Sequence, residues 1–156
     1  MEASIVQLGE RYWDDFPVGF TIRTRGLTVT ETHIVMWAAV AGDWLPIHMD
    51  REFTKNTVFG EPVAHGPLTL SLALGLVTQT NVYGDAIIAW LGLDEVRLPA
   101  PVRIGDTIHV VGVVEEQAET SKLERGRVRI AFQVLNQRDE VVLTYLTSFL
   151  MHRKLP

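Results

Sequence analysis

With 156 residues the chain is sized for one domain that buries roughly two-thirds of its unfolded surface, without needing disulfides or metals. Fourteen Lys and Arg against nineteen Asp and Glu give a net charge of −5, which argues against a general nucleic-acid binder because phosphate contacts need clustered positive charge. The absence of cysteine excludes disulfides and cysteine-based zinc sites, and nothing points to an oxidising compartment.

The opening stretch MEASIVQLGERYWDD is acidic and lacks the basic region and apolar run of a signal peptide. No later stretch offers an uninterrupted membrane span, so a soluble, cytoplasmic protein with no membrane partner is expected. Asp14 to Phe20, with Pro17 and Gly19, predicts a turn into a strand from about Thr21 to Thr28. Thr30 then suits an N-cap and Glu31 the first turn of a helix. Ile34, Trp37, Ala38 and Ala41 follow at i, i+3, i+4 and i+7, the stripe of a helix packed on one face, and Gly42 suits its exit. Asp43 emerges just past that end, while His33 lies off the stripe and is expected at the surface.

Gly42 to Gly66 carries most of the chemistry. Asp43 and His48 lie five residues apart, and an imidazole beside a carboxylate is an acid/base pair that can position a water. They meet only if the loop folds back, which Pro46 assists by fixing its own φ and biasing Leu45 toward extended geometry. Spacing alone leaves a second reading, a solvated loop in which Asp43 caps a helix and His48 is incidental, and by itself favours it. Further on, His65-Gly66-Pro67 opens an apolar helix. Its first amides have no intrahelical partner, and Pro67 suits the first position. Gly66, Leu68 and Thr69 are the expected free amides, and Gly66 lets a ligand approach the backbone, where a developing oxyanion would be stabilised. The alternative is a plain helix-entry turn.

Leu68, Leu70, Leu72, Leu74, Leu76 and Val77 spread apolar groups around the next helix, predicting burial on all sides in the core. From Ala86 the pattern changes to strands near 86 to 98, 107 to 116, 124 to 135 and 140 to 151, with Val128, Ile130, Phe132 and Val134 facing one way. Gly105-Asp106 and Asn136 to Asp139 are the expected turns. A strand, two helices and four long strands make an α+β domain, helices on one face of an antiparallel sheet. No internal repeat or linker divides residues 1 to 156, so a single domain is expected.

GDWLPIH followed by AHG and an apolar helix resembles the MaoC-like, or (R)-specific enoyl-CoA hydratase, family of hotdog-fold proteins. Gly42, Asp43, Pro46, His48, Asp50, His65 and Gly66 stand in matching places. Leu45 stands where the family usually has Asn, and Leu74 where some members have Ser. The likeness extends to FPVGF and VRLPAPVRIGDTI, and so covers nearly the whole chain. It implies a single hotdog domain, an antiparallel sheet wrapped around a long buried helix, assembled as a homodimer or higher homo-oligomer. It implies reversible hydration of a trans-2-enoyl-CoA to an (R)-3-hydroxyacyl-CoA, with the CoA thioester as substrate and no metal or redox cofactor. Asp43, His48 and Gly66 would be catalytic; Leu45, Pro46, His65 and Leu74 would bind substrate. A hotdog thioesterase and a noncatalytic acyl-CoA binding subunit are the alternatives, the latter favoured by Leu45. Coenzyme A is an anion, and Arg97, Arg103, Lys122, Arg125, Arg127 and Arg129 are candidates for a local basic patch, none assigned individually.

Overall fold

In the computed structural model, which describes residues 9 to 154, the C-terminal half forms the sheet that everything else packs on. After a 3-10 turn at Trp13–Asp15 the elements run β1 (Thr21–Arg23), β2 (Leu27–Thr28), α1 (Glu31–Ala41), α2 (Pro46–Met49), α3 (Arg51–Thr54), α4 (Gly66–Thr78), β3 (Ile87–Arg97), β4 (Thr107–Glu119), β5 (Arg125–Leu135) and β6 (Val141–His152). The strand order is β1-β4-β5-β6-β3, with β2 also on β4, and every pairing is antiparallel. The long strands end within a few residues of the expected positions. Part of the acidic N-terminal stretch lies outside the described residues.

The register explains the core. Val110, Gly112 and Val114 of β4 pair with Val134, Phe132 and Ile130 of β5, and Val128, Phe132 and Val134 pair in turn with Phe149, Tyr145 and Leu143 of β6. Apart from Gly112 these side chains are buried, so the period-two pattern lines one continuous apolar face. Phe132 and Tyr145 stack with centroids 5.0 Å apart. Each such side chain contributes on the order of 1.5–3 kcal/mol relative to exposure.

α4 lays Leu68, Thr69, Ala73, Leu76 and Val77 into that face. The sheet wraps the helix, which is the hotdog arrangement. Burial on all sides, expected from the sequence, does not hold in the single chain. Leu70, Leu72 and Leu74 are half-buried and Ser71 is exposed, because the sheet curves around only part of the helix. The stripe on α1 is also narrower than expected: Ile34 and Ala38 are buried, Trp37 is half-buried and Ala41 is exposed. Met36, Trp37 and Val40 of α1 line an open apolar groove with Leu68 and Leu72 of α4.

The first expected strand is split. The Thr24 hydroxyl accepts the Val110 N–H at 2.9 Å, taking a place that a backbone carbonyl would fill, and the ladder resumes at Leu27. α2 and α3 were not anticipated as helices. Pro46 starts α2, and the Asp50 carboxylate caps α3 by accepting the Phe53 N–H at 2.9 Å. His33 is half-buried and is the cap partner of Thr30, whose N–H it accepts at Nδ1 at 3.0 Å. Among the described residues no helix is long and apolar enough to cross a membrane.

Candidate active site

The loop that carries Asp43 folds back through three local devices. Gly42 ends α1 in the left-handed conformation, φ 75°, with its N–H on the Ala38 carbonyl at 2.8 Å. Asp43 Oδ1 then accepts the Leu45 N–H at 3.3 Å, closing a tight turn. Leu45, held extended before Pro46 at ψ 139°, hands the chain to α2, whose last turn carries His48. The five-residue spacing is thus bridged by one bend and one helical turn.

His48 is held from a third segment. Its Nδ1 lies 2.7 Å from the Val63 carbonyl oxygen. A carbonyl only accepts, so Nδ1 carries the proton and Nε2 of the neutral ring keeps its lone pair. The Val63 N–H returns a bond to the Ile47 carbonyl at 3.2 Å, tying α2 to the segment that enters α4. The Val63 carbonyl, rather than a side chain, thus sets the tautomer of the His48 ring.

His65 completes the cluster from beneath. It is 1% exposed, its ring lies 3.8 Å from that of His48 at 32°, and its Nε2 donates to the Asp43 carbonyl oxygen at 3.0 Å. Its Nδ1 is buried without a hydrogen-bond partner among the described residues, a cost to stability of about 1–3 kcal/mol. Asp43, His48 and His65 each offer a ligand atom within 4.8 Å of the others, a spacing compact enough for a metal ion. His65 Nε2 is engaged by the Asp43 carbonyl, and the two imidazole rings are tilted against each other.

Gly66 is the first residue of α4 and Pro67 the second, one place later than expected for the proline. Thr69 is not a free amide, since its N–H is bonded to the His65 carbonyl at 3.0 Å; Gly66 and Leu68 remain at the helix end. Gly66 lines a cleft of about 400 Å³ with Phe59, Val63, Thr69, Leu98 and Pro101. A Cβ on Gly66 would stand 3.1 Å from Leu98 Cδ1, so glycine keeps that wall open.

The structure thus brings Asp43, His48 and His65 together, with Gly66 the next residue along the chain. Leu45 joins them through its backbone N–H only, its side chain being 58% exposed, and Pro46 is exposed beside it. Leu74 lies apart, lining a second, apolar cavity of about 200 Å³ with Val77, Tyr83, Trp90, Tyr145 and Phe149. Burial raises the pKa of both tyrosines there, keeping them neutral. Of the basic candidates, Arg103, Arg125 and Arg127 pair with Glu61, Glu124 and Glu116, whereas Arg97, Lys122 and Arg129 make no ion pair among the described residues. Sequence reasoning missed Val63, because a backbone carbonyl leaves no trace in residue type.

Comparison with known proteins places these residues in context. The family model described as MaoC like domain matches residues 16–134. The chain is 34% identical over 134 residues to the 3-hydroxybutyryl-CoA dehydratase of Methylorubrum extorquens, covering 85% of this chain and 78% of that protein. It is 30% identical over 110 residues to the (R)-specific enoyl-CoA hydratase of Rhodospirillum rubrum, covering 68% and 74%. The crystal structure of a monoamine oxidase regulatory protein from Archaeoglobus fulgidus superposes with a TM-score of 0.87 at 39% identity, covering 93% of this chain and 96% of that one. Of other curated relatives that it matches, the chain spans 29% of one and 55% of another.

Proposed function

The chain belongs to the MaoC-like domain family, and from that premise we propose that it hydrates a trans-2-enoyl-CoA reversibly to an (R)-3-hydroxyacyl-CoA. The observation that carries this reading is the His48 tautomer: with Nδ1–H on the Val63 carbonyl, the Nε2 lone pair is left as a base, on a ring that has a nitrogen within 4.8 Å of an Asp43 carboxylate oxygen.

In the hydration direction, a water between Asp43 and His48 gives a proton to His48 Nε2 as its oxygen bonds to the β-carbon of the enoyl group. The electron pair of the C2=C3 bond moves toward the thioester, whose oxygen gains enolate charge. The Gly66 N–H, at the positive end of α4, is the donor for that oxygen. The enolate then collapses, and the α-carbon takes a proton from the dyad. Asp43 holds the water throughout and balances the charge on the imidazolium. Both the oxygen and the proton come from one side, so the addition is syn. The cleft at Gly66 suits the thioester and its pantetheine arm, and the CoA is substrate throughout. The functional unit in this reading is a homodimer or higher homo-oligomer.

The test is a panel of short, medium and branched enoyl-CoAs incubated with the pure protein. Loss of the conjugated enoyl-thioester absorbance without free thiol, with (R)-3-hydroxyacyl product by chiral chromatography, is expected. Release of free CoA identifies a thioesterase instead, and saturable binding without turnover identifies an acyl-CoA binding subunit.

A further inference from the structure

The motif histidine ahead of Gly66 was expected to bind substrate, yet at 1% exposure it presents almost no surface to one. Its side chain and its place in the chain both tie it to the machinery. The Nε2–H donates to the Asp43 backbone carbonyl at 3.0 Å, the ring faces that of His48 at 3.8 Å, and the next residue is Gly66, the first of α4. We infer that His65 is a positioning residue, a tether that fixes the acid/base pair relative to the amide at the start of α4.

The argument is mechanical. In the proposed hydration, the water attacks the β-carbon while the thioester oxygen, at the other end of a conjugated four-atom unit, must lie on the Gly66 N–H. The separation between the Asp43/His48 pair and that amide therefore has to match a rigid substrate. Asp43 sits on a loop leaving α1, and His48 on the one-turn helix α2, neither belonging to the helix that carries Gly66. Two side-chain bonds join these pieces at the site, beside the backbone bond from the Val63 N–H to the Ile47 carbonyl. The Val63 carbonyl holds the His48 ring, and the His65 Nε2–H holds the Asp43 backbone. Without the second, Asp43 keeps only its own turn to Leu45, which moves with it.

The proton on Nε2 follows from the partner, since a carbonyl oxygen only accepts. This leaves the buried Nδ1 as an unprotonated acceptor with no partner among the described residues. A core histidine kept for packing alone would be replaceable by an aromatic ring that avoids this buried, unpartnered lone pair. The N–H is what such a ring cannot supply. This inference rests on the hydratase reading for its catalytic consequence but not for its structural one.

Two substitutions separate the ring from the donor. His65→Phe keeps the face against His48 and removes the N–H, whereas His65→Gln keeps an amide N–H near the Nε2 position and removes the ring. A misplacement of about 1 Å at a reacting centre costs on the order of 10²-fold. His65→Phe is accordingly expected to lower kcat by that order with KM little changed, and His65→Gln to recover most of the loss. Amide hydrogen exchange of the unliganded protein at Leu45, whose N–H rests on Asp43, should be faster in His65→Phe than in wild type and His65→Gln. A raised KM with unchanged kcat returns His65 to the substrate-binding set, and wild-type kcat in His65→Phe or equal losses in both variants removes the tether. If wild type hydrates no enoyl-CoA, the functional reading fails while the exchange comparison still decides the tether. Should His65→Phe not fold, exchange in His65→Gln decides alone: wild-type protection at Leu45 supports the donor, and lost protection overturns it.

Discussion

Replacing Gly66 by alanine tests whether the amide at the start of α4 meets the substrate. The backbone there is ordinary helix, so alanine fits without strain in φ, and the only close neighbours of the new methyl are Leu98 Cδ1 at 3.1 Å and Cδ2 at 3.2 Å. These contacts need a few tenths of an ångström of relief, and Leu98, 53% exposed, can swing outward to give it. Overpacking in a closed core costs about 1–3 kcal/mol, and here the open side of the cleft relieves most of that. Alanine also gains up to about 1 kcal/mol of helix propensity over glycine, less at a first position. The net change should stay within about 1 kcal/mol, or roughly 2–4 °C in Tm for a domain of this size. Turnover should respond quite differently. The methyl and the displaced Leu98 occupy the cleft beside the amide, and removing one oxyanion donor costs about 10²–10³-fold in kcat. Scanning calorimetry and initial rates on one enoyl-CoA read the two effects separately. Adding Leu98→Ala to Gly66→Ala should restore stability and leave kcat low. Wild-type kcat in Gly66→Ala, with its unfolding transition unmoved, would refute the role given to this amide.

Asp43→Asn and His48→Ala should each lower hydration by about 10²–10⁴-fold, with the double variant little worse than either, because both act on one water. Native circular dichroism with full turnover in either variant removes the dyad. Leu45→Asn should keep the fold and the dyad and change the ranking of enoyl-CoAs by about 1–3 kcal/mol; an unchanged ranking shows that the side chain does not meet substrate. Tyr145→Phe removes a buried hydroxyl without a partner among the described residues and keeps the stack on Phe132, so urea unfolding should show stability equal to wild type or higher by up to about 1–3 kcal/mol. A clear loss would reveal a partner for that hydroxyl. Sedimentation at micromolar concentration should give at least twice the 17.5 kDa chain mass, since Trp90 and Leu91 on the edge strand β3 are half-exposed and α4 is open on one side; an active monomer would contradict this.

The sheet was legible because its signal is redundant. The runs that become β4, β5 and β6 alternate over much of their length, and Gly105-Asp106 and Asn136 to Asp139 mark two of their turns, so propensity, periodicity and turn chemistry agree there, whereas β3, with three register shifts against β6, alternates less. The short elements were not. The break between β1 and β2 turns on a threonine hydroxyl standing in for a carbonyl at Val110, which composition does not announce. The two one-turn helices α2 and α3 are shorter than any periodic pattern, although Pro46 and the Asp50 cap are visible afterwards as their start signals. The all-round burial expected of α4 failed for another reason. An apolar helix face says that something covers it, not that the covering atoms belong to the same chain.

The candidate site divides along the same line. Asp43, His48 and Gly66 are recognisable by type and by resemblance, because carboxylate, imidazole and a glycine at a helix start are the groups that the proposed chemistry uses. The groups that hold them are not recognisable by type. The His48 ring is fixed by the carbonyl of Val63, the Asp43 turn is closed by the N–H of Leu45, and the Asp43 carbonyl is held by His65. Two of those three partners are backbone atoms, which any residue but proline supplies at the donor position and any residue at all at the acceptor position. That bears directly on Leu45. The family's usual asparagine is absent, but the contact that position 45 makes with the dyad is a backbone N–H, which leucine provides as well as asparagine does. The substitution therefore leaves the geometry of Asp43 intact, and what it changes is the apolar, exposed side chain beside it. A departure of this kind alters what the site touches rather than whether its acid/base pair is assembled, which is why it weighs less against turnover than it does on the page of the sequence.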